Sequence, residues 1–204
     1  MNVAVERESR YLNMPLDLAT RGLLLVSALL LIATYFLPLW RIQVSSSADP
    51  EGFGLAVYTY KLEGVGGQQN DVEVRTDGSP DSRWLPFVVG GLALLLLRGA
   101  AIGMGMSLVD LFVLFVYFSA FSFWTFAGRL DSYGRYLAAA TRTGVSLFVP
   151  PLMGHDRIGG LDVSSSPSVG SFAILAAGFA LAVALILGWR RGRSEIAGEV
   201  SIAG

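Results

Sequence analysis

The chain has 204 residues, of which 53% are hydrophobic and 15% are charged, and its mean hydropathy is +0.56. These values lie well outside the averages of soluble domains, so the composition predicts a single integral membrane domain over residues 1–204. A net charge of −1 without a block of basic residues argues against a nucleic-acid partner, and the lack of cysteine excludes disulfides, iron–sulfur clusters and thiolate metal sites.

The longest apolar stretch lies between residues 83 and 129, and only Arg98 and Asp110 interrupt it with a charge. About 20 helical residues cross the ~30 Å hydrocarbon layer, so this stretch is long enough for two crossings. We predict transmembrane helices over residues 84–98 and 105–127, joined by a turn that begins at Arg98.

Two further apolar runs predict one helix each. The run from Gly22 to Leu39 predicts a retained transmembrane helix over residues 19–40. A cleaved signal peptide is the alternative, because Ser46-Ser47-Ala48 is a small-x-small site just beyond the run. The last run predicts a helix over residues 169–189, whose many alanines permit close approach of a neighbouring helix.

The polar segments between these helices cover residues 41–83 and 128–168. In the first segment, apolar and β-branched residues alternate with others from Phe53 to Tyr60 and again from Asp71 to Thr76, which predicts a small β-hairpin. The second segment shows no sustained hydrophobic periodicity that would predict a helix or a strand. The predicted fold class is therefore all-α: a bundle of four transmembrane helices with a small extracytoplasmic cap that contains a β-hairpin.

Basic residues adjoin the predicted membrane ends on one side of the bundle: Arg7, Arg10, Arg21, Arg98, Arg190, Arg191 and Arg193. Cytoplasmic loops are enriched in such residues. We therefore expect both termini in the cytoplasm and both long polar segments outside it.

Short strings spread from about residue 37 to 193 share their order and spacing with a known family. These strings are Leu37–Ile42, Pro50–Gly52, Tyr58–Gly64, Leu130–Leu137, Pro150–Gly154 and Ser165–Gly170. The set resembles a family of small four-helix membrane proteins that bacteria often encode beside nitrous oxide reductase and its copper-maturation proteins.

The resemblance implies a multi-pass protein of the bacterial inner membrane. It implies a non-enzymatic accessory role at the periplasmic face, in maturation of, or electron supply to, a copper enzyme such as nitrous oxide reductase. Membrane lipid and other membrane or periplasmic proteins would be its partners. By this resemblance the chain would be a diverged member, because the family string Asn-His-Tyr-x-Gly-Met is replaced by GVGGQQNDVEVR at residues 64–75, and a family Tyr-Gly-His by Tyr133-Gly134-Arg135.

Met153 and His155 are the candidate metal ligands, and copper is the candidate cofactor, because thioether and imidazole suit Cu(I) and Cu(II). One histidine and one methionine are too few for a tight site unless a partner protein supplies more ligands. The alternative is a solvated loop histidine. Met104 and Met106 form a second soft pair, for which flexible packing is the better account.

Asp110 is a candidate functional carboxylate because it lies inside a predicted membrane helix. Arg98 is its expected partner, and together they would hold the helical hairpin near the interface. Asp156 and Asp162 are expected to cap turns or to pair with arginines such as Arg157. The aromatic rings of the third helix occur on all its faces, which favours lipid and protein contact over a pigment or quinone site.

No catalytic constellation or phosphate-binding loop is present in the sequence, which argues against an enzyme. Two functions besides the accessory role stay open. One is a structural transmembrane subunit of a larger respiratory or photosynthetic complex, and the other is a small transporter that uses Asp110.

Overall fold

The computed structural model describes residues 15–46, 49–65, 84–103, 105–130, 132–135, 150–158 and 160–202. These residues form four long helices, a short helical segment at 132–135 and one five-stranded antiparallel sheet. The fold is therefore mixed α and β, and the predicted all-α class is wrong. The cap predicted as a small hairpin is a sheet to which both polar segments contribute strands.

The four long helices are α1 (Leu18–Ala33), α2 (Trp84–Ile102), α3 (Gly105–Ala127) and α4 (Val169–Ile202). Among the described residues, three stretches are long and apolar enough to cross a membrane, and they are Trp84–Ile102, Leu108–Ala127 and Val169–Arg191. The chain is a membrane protein. The prediction of four transmembrane helices is corrected to these three, because α1 has only 16 residues, which extend ~24 Å and fall short of the ~30 Å hydrocarbon layer.

α1 ends well before the apolar run does. The backbone N–H of Phe36 donates to the carbonyl of Ala33 at 3.0 Å in a closing turn, and the N–H of Leu39 donates to the carbonyl of Val57 at 2.7 Å. Pro38 has no N–H to continue a helix. The last part of the predicted first crossing, from Thr34 to Leu39, therefore connects α1 to the sheet.

The break between α2 and α3 lies at Gly103, within the predicted connection between residues 98 and 105, and α2 continues beyond its predicted end at Arg98. Gly103 has φ of 66°, a left-handed conformation that glycine adopts without steric cost. Its carbonyl accepts a 2.7 Å hydrogen bond from the N–H of Leu16. A Cβ at this position would overlap the guanidinium of Arg21, so both backbone and space favour glycine.

The strands are β1 (Trp40–Ser46), β2 (Asp49–Val57), β3 (Leu62–Val65), β4 (Gly154–Ile158) and β5 (Leu161–Pro167), and the sheet order is β3-β2-β1-β5-β4. Each neighbouring pair is antiparallel. β2 ends at Val57, inside the alternation predicted from Phe53 to Tyr60. The strand predicted at Asp71–Thr76 lies outside the described residues.

The chain divides into two compact units. The helical unit comprises Met1–Ile32, Val88–Phe118 and Ile174–Gly204. In it the hydroxyl of Ser27 donates to the carbonyl of Ala177 at 3.1 Å, and the side chains of Leu24 and Leu181 are fully buried.

The sheet unit comprises Ala33–Phe87 and Ser119–Ala173. One face of the sheet packs its apolar side chains on Leu130 and Tyr133, which follow α3, with Phe126 at the margin. The buried sheet residues of this core are Trp40, Ile42, Val44, Leu55, Val57, Leu161 and Val163. Burial of one face leaves the other free for polar side chains.

Candidate functional site: the polar face of the sheet

The side of the sheet opposite the apolar core is polar, and its composition follows from strand alternation. Along β1 the buried Ile42 and Val44 alternate with the exposed Arg41 and Gln43. Along β5 the half-buried positions 162 and 164 alternate with buried ones. We define the polar face as Arg41, Gln43, Ser45, His155, Arg157, Asp162, Ser164 and Ser166.

The strand register places β4 residues on this same face. His155 lies opposite Ser164, and Arg157 lies opposite Asp162. Gln43 is in turn the β1 partner of Ser164. Directly opposed residues of antiparallel strands project to the same side, so His155, Ser164 and Gln43 form one row across three strands.

Three charged or titratable side chains meet at the β4–β5 end of the polar face. The Nε of Arg157 lies 3.1 Å from Oδ1 of Asp162, and the Nε2 of His155 lies 3.8 Å from the same oxygen. The longer distance exceeds that of a hydrogen bond. His155 is 65% exposed and Arg157 70% exposed. Both side chains are therefore accessible to a partner from solution. Asp162 pairs with Arg157, as the sequence predicted.

Met153 lies in the bend before β4 and is 64% exposed. Within the described ranges, no group of three or more His, Cys, Asp or Glu side chains is arranged to hold a metal ion. The polar face thus offers one imidazole beside one carboxylate, with the Met153 thioether two residues from His155. A copper ion held here would need further ligands from a partner.

A buried hydrogen bond fixes the position of this end of the sheet. The Nε1 of Trp40 donates to Oγ of Ser165 at 2.8 Å, and that hydroxyl lies 3.4 Å from the carbonyl of Leu152. The bond joins β1 to β5, and the hydroxyl contact reaches the segment that leads into β4. Trp40 and Ser165 are not among the site residues predicted from the sequence, although the alternation of Trp40, Ile42 and Val44 is visible there.

The predicted intramembrane polar residues lie in the helical unit. Arg98 on α2 and Asp110 on α3 both have exposed side chains. The ion pairs found among the described residues do not join them. Met104 and the side chain of Met106 lie outside the described residues.

The aromatic rings of α3 contact neighbouring rings. Phe121 packs on Trp84 with ring centroids 5.1 Å apart, and Tyr117 packs edge-on against Phe118 at 5.5 Å. Phe123 and Trp124 are exposed, by 52% and 80%. Large exposed rings on a membrane-length helix are suited to lipid or protein contact.

No protein-family model matches the chain, and no curated protein matches it.

Proposed function

We propose that this protein is a non-enzymatic membrane accessory protein that binds a partner protein through the polar face of its sheet. The observation that supports this most is the construction of the sheet from both polar segments. One face of the sheet is buried against the apolar core. The other face presents the exposed side chains of Arg41, Gln43, His155 and Arg157. A rigid scaffold with one polar face is an economical way to present a fixed set of side chains.

The family resemblance extends this proposal to a periplasmic partner. In that version the sheet lies outside the cytoplasm and the partner is a copper enzyme such as nitrous oxide reductase, during its maturation or its supply with electrons. His155 and Met153 are the residues that would contact copper. The partner would supply the remaining ligands, since the polar face offers too few by itself.

Site-specific photo-crosslinking in native membranes tests the proposal. A photoreactive side chain is placed at Gln43 or Ser166 on the polar face, and at the matched exposed control Tyr60 in the β2–β3 connection. Both polar-face positions are expected to give one discrete heavier adduct that Tyr60 does not give. Equal labelling at all three positions contradicts the proposal.

The same experiment addresses the alternative of a structural transmembrane subunit. The observation in its favour is the set of large exposed apolar side chains on α4, such as Phe172, Leu175 and Phe179. A photoreactive group at Phe179 is expected to label a protein only if α4 packs against another subunit, and lipid otherwise. Protein adducts from Phe179 together with none from Gln43 or Ser166 would replace the accessory role with the structural one.

A further inference from the structure

A cavity of about 330 Å³ lies within the helical unit, where α1 begins and the membrane-length part of α4 ends. Its lining consists of Asp17, Ala19, Thr20, Leu187, Arg190 and Arg191. The volume equals roughly ten water molecules at the density of the liquid. It is large enough for the headgroup of a lipid and too small for a whole lipid.

Hydrogen bonds hold the walls of this cavity in place. The backbone N–H of Leu16 binds the carbonyl of Gly103 at 2.7 Å, which ties the start of α1 to the end of α2. The Nε of Arg21 donates to the carbonyl of Leu16 at 3.1 Å. Nη1 of Arg191 lies 2.8 Å from Oδ1 of Asp17, which ties the start of α1 to α4. The start of α1 is therefore fixed to α4 at the cavity itself and to the end of α2 through the neighbouring Leu16.

The charge of the lining favours an anion. The lining includes two arginines and one aspartate, and the carboxylate of that aspartate is bound to Arg191. Asp17 also accepts hydrogen bonds from the backbone N–H groups of Leu18 and Ala19, so it caps the first turn of α1. Arg190 is exposed, and none of the ion pairs of the described residues includes it. Its guanidinium can therefore form paired hydrogen bonds with a phosphate group.

The surroundings favour a lipid as the source of that phosphate. The apolar stretch of α4 ends at Arg191, so the cavity lies at the level where headgroups begin. Leu187 provides an apolar wall, and the neighbouring Leu18 and Trp189 are exposed, by 84% and 52%. A headgroup phosphate on Arg190 would leave its acyl chains beside these apolar side chains.

We propose that this cavity binds the headgroup of an anionic glycerophospholipid, with Arg190 as the main phosphate ligand. Basic pockets between membrane helices are a general means of headgroup recognition. A zwitterionic lipid such as phosphatidylcholine binds less well, because its choline cation would lie beside two guanidinium groups. The site is independent of the polar face of the sheet and of any partner bound there.

Native mass spectrometry of the full-length protein in a non-ionic detergent tests this site. Phosphatidylglycerol and phosphatidylcholine with identical acyl chains are added in equal amounts. The wild type is expected to retain phosphatidylglycerol in excess. Arg190→Gln is expected to weaken phosphatidylglycerol binding about tenfold, the loss of one charge-assisted contact. Arg157→Gln on the sheet removes another exposed arginine and is expected to leave binding unchanged.

A second variant is expected to act in the opposite direction, which a folding defect would not do. Asp17→Asn keeps an N-cap side chain on α1 but removes the negative charge of the Asp17 carboxylate, which lies 2.8 Å from Arg191. Phosphatidylglycerol binding is expected to become several-fold tighter, because a carboxylate that repels the phosphate is removed from the lining. Loss of binding in Asp17→Asn overturns the proposal, and so does equal retention of the two lipids by the wild type.

A competition experiment distinguishes a lipid ligand from a soluble phosphate ligand. Glycerol 3-phosphate has the same phosphate chemistry without acyl chains. It is expected to compete only at concentrations far above those of the lipid. If it binds as tightly as phosphatidylglycerol and depends equally on Arg190, the ligand is a soluble phosphate and the lipid proposal is overturned.

Discussion

The indole Nε1 of Trp40 donates a 2.8 Å hydrogen bond to the Oγ of Ser165, and both side chains are buried. Trp40 begins β1 and Ser165 lies in β5, so the bond joins residues that are 125 positions apart in sequence. The ring of Trp40 also packs on Phe126, with centroids 4.9 Å apart. This one side chain thus connects both polar segments to the end of α3 inside the sheet unit.

Ser165→Ala is expected to destabilise the sheet unit, because it leaves the buried N–H of Trp40 without its partner. An unsatisfied buried donor costs about 1–3 kcal/mol. The matched control is Ser166→Ala, one position along β5 on the exposed polar face, which is expected to change stability by no more than about 0.5 kcal/mol. Unfolding in mild detergent, followed by near-ultraviolet circular dichroism of the tryptophans, measures the difference. Equal stability of the two variants would show that the indole finds another acceptor.

Gly170, in the first turn of α4, is packed too tightly for any side chain. A Cβ there would lie 2.8 Å from the carbonyl oxygen of Pro38 and 3.0 Å from that of Leu37. Backbone carbonyls cannot rotate away as a side chain can. Gly170→Ala is therefore expected to destabilise the protein by about 1–3 kcal/mol, the range typical of overpacking.

Gly91 on α2 is the matched control for this substitution. A Cβ at Gly91 meets nothing within 4 Å. Gly91→Ala is expected to leave stability unchanged or to raise it by up to about 1 kcal/mol, because alanine is the better helix former. The midpoint of thermal unfolding in detergent compares the two variants. A loss in Gly91→Ala as large as that in Gly170→Ala would mean that any added methyl group on these helices destabilises the protein, and that the contact with Pro38 does not decide the result.

The membrane-length helices could be predicted from the sequence because their apolar runs are long and local. Helix α2 starts at Trp84 as predicted, but it continues past Arg98 to Ile102. A single arginine near a helix end does not stop the helix, since its long side chain can reach the interface. Gly103, in its left-handed conformation, does end the helix. The sequence alone does not show which of several neighbouring glycines adopts that conformation.

The sheet could not be predicted to the same extent, because its pairing is non-local. Trp40, Ile42 and Val44 alternate in the sequence, but they follow directly on an apolar run, and Trp40 was included in the first predicted helix. Their partner strand β5 contains only two large apolar residues, Leu161 and Val163. β5 pairs with β1, a strand more than a hundred residues away in the sequence. The hydrophobic periodicity within either strand does not specify this pairing or its register.

Copper binding is the sharpest test of the family resemblance. His155 has the only imidazole in the chain. If the accessory role includes copper handling, titration of the purified protein with Cu(II) is expected to give a nitrogen-ligated electron paramagnetic resonance signal that His155→Ala removes. Arg157→Gln, which changes charge on the same strand without removing a ligand, is expected to retain the signal. Copper uptake that is unchanged in His155→Ala would remove copper handling at this site from the proposal, while partner binding by the polar face would still stand.

The ion pair between Asp17 and Arg191 makes the stability of the helical unit depend on pH. The hydrogen bond from the Arg191 guanidinium is the largest influence on Asp17 and lowers its pKa below the ordinary 3.8, with smaller help from the N–H groups of Leu18 and Ala19. An ionised Asp17 therefore favours the folded state. This contribution is fully present above the unfolded pKa of 3.8 and is lost as the pH falls through the lower folded value.

Arg191→Gln is expected to raise the pKa of Asp17 towards 3.8, as followed by NMR of carboxyl carbons in labelled protein. Glu63 is an internal reference, because Lys61, 2.9 Å away, lowers its pKa in the same way. Lys61→Gln should raise the pKa of Glu63 and leave Asp17 unchanged, and Arg191→Gln should do the reverse. If Asp17 titrates identically with and without Arg191, the helix N-terminus sets its pKa. The carboxylate would then not compete with an anion for Arg191, and Asp17→Asn would not tighten lipid binding.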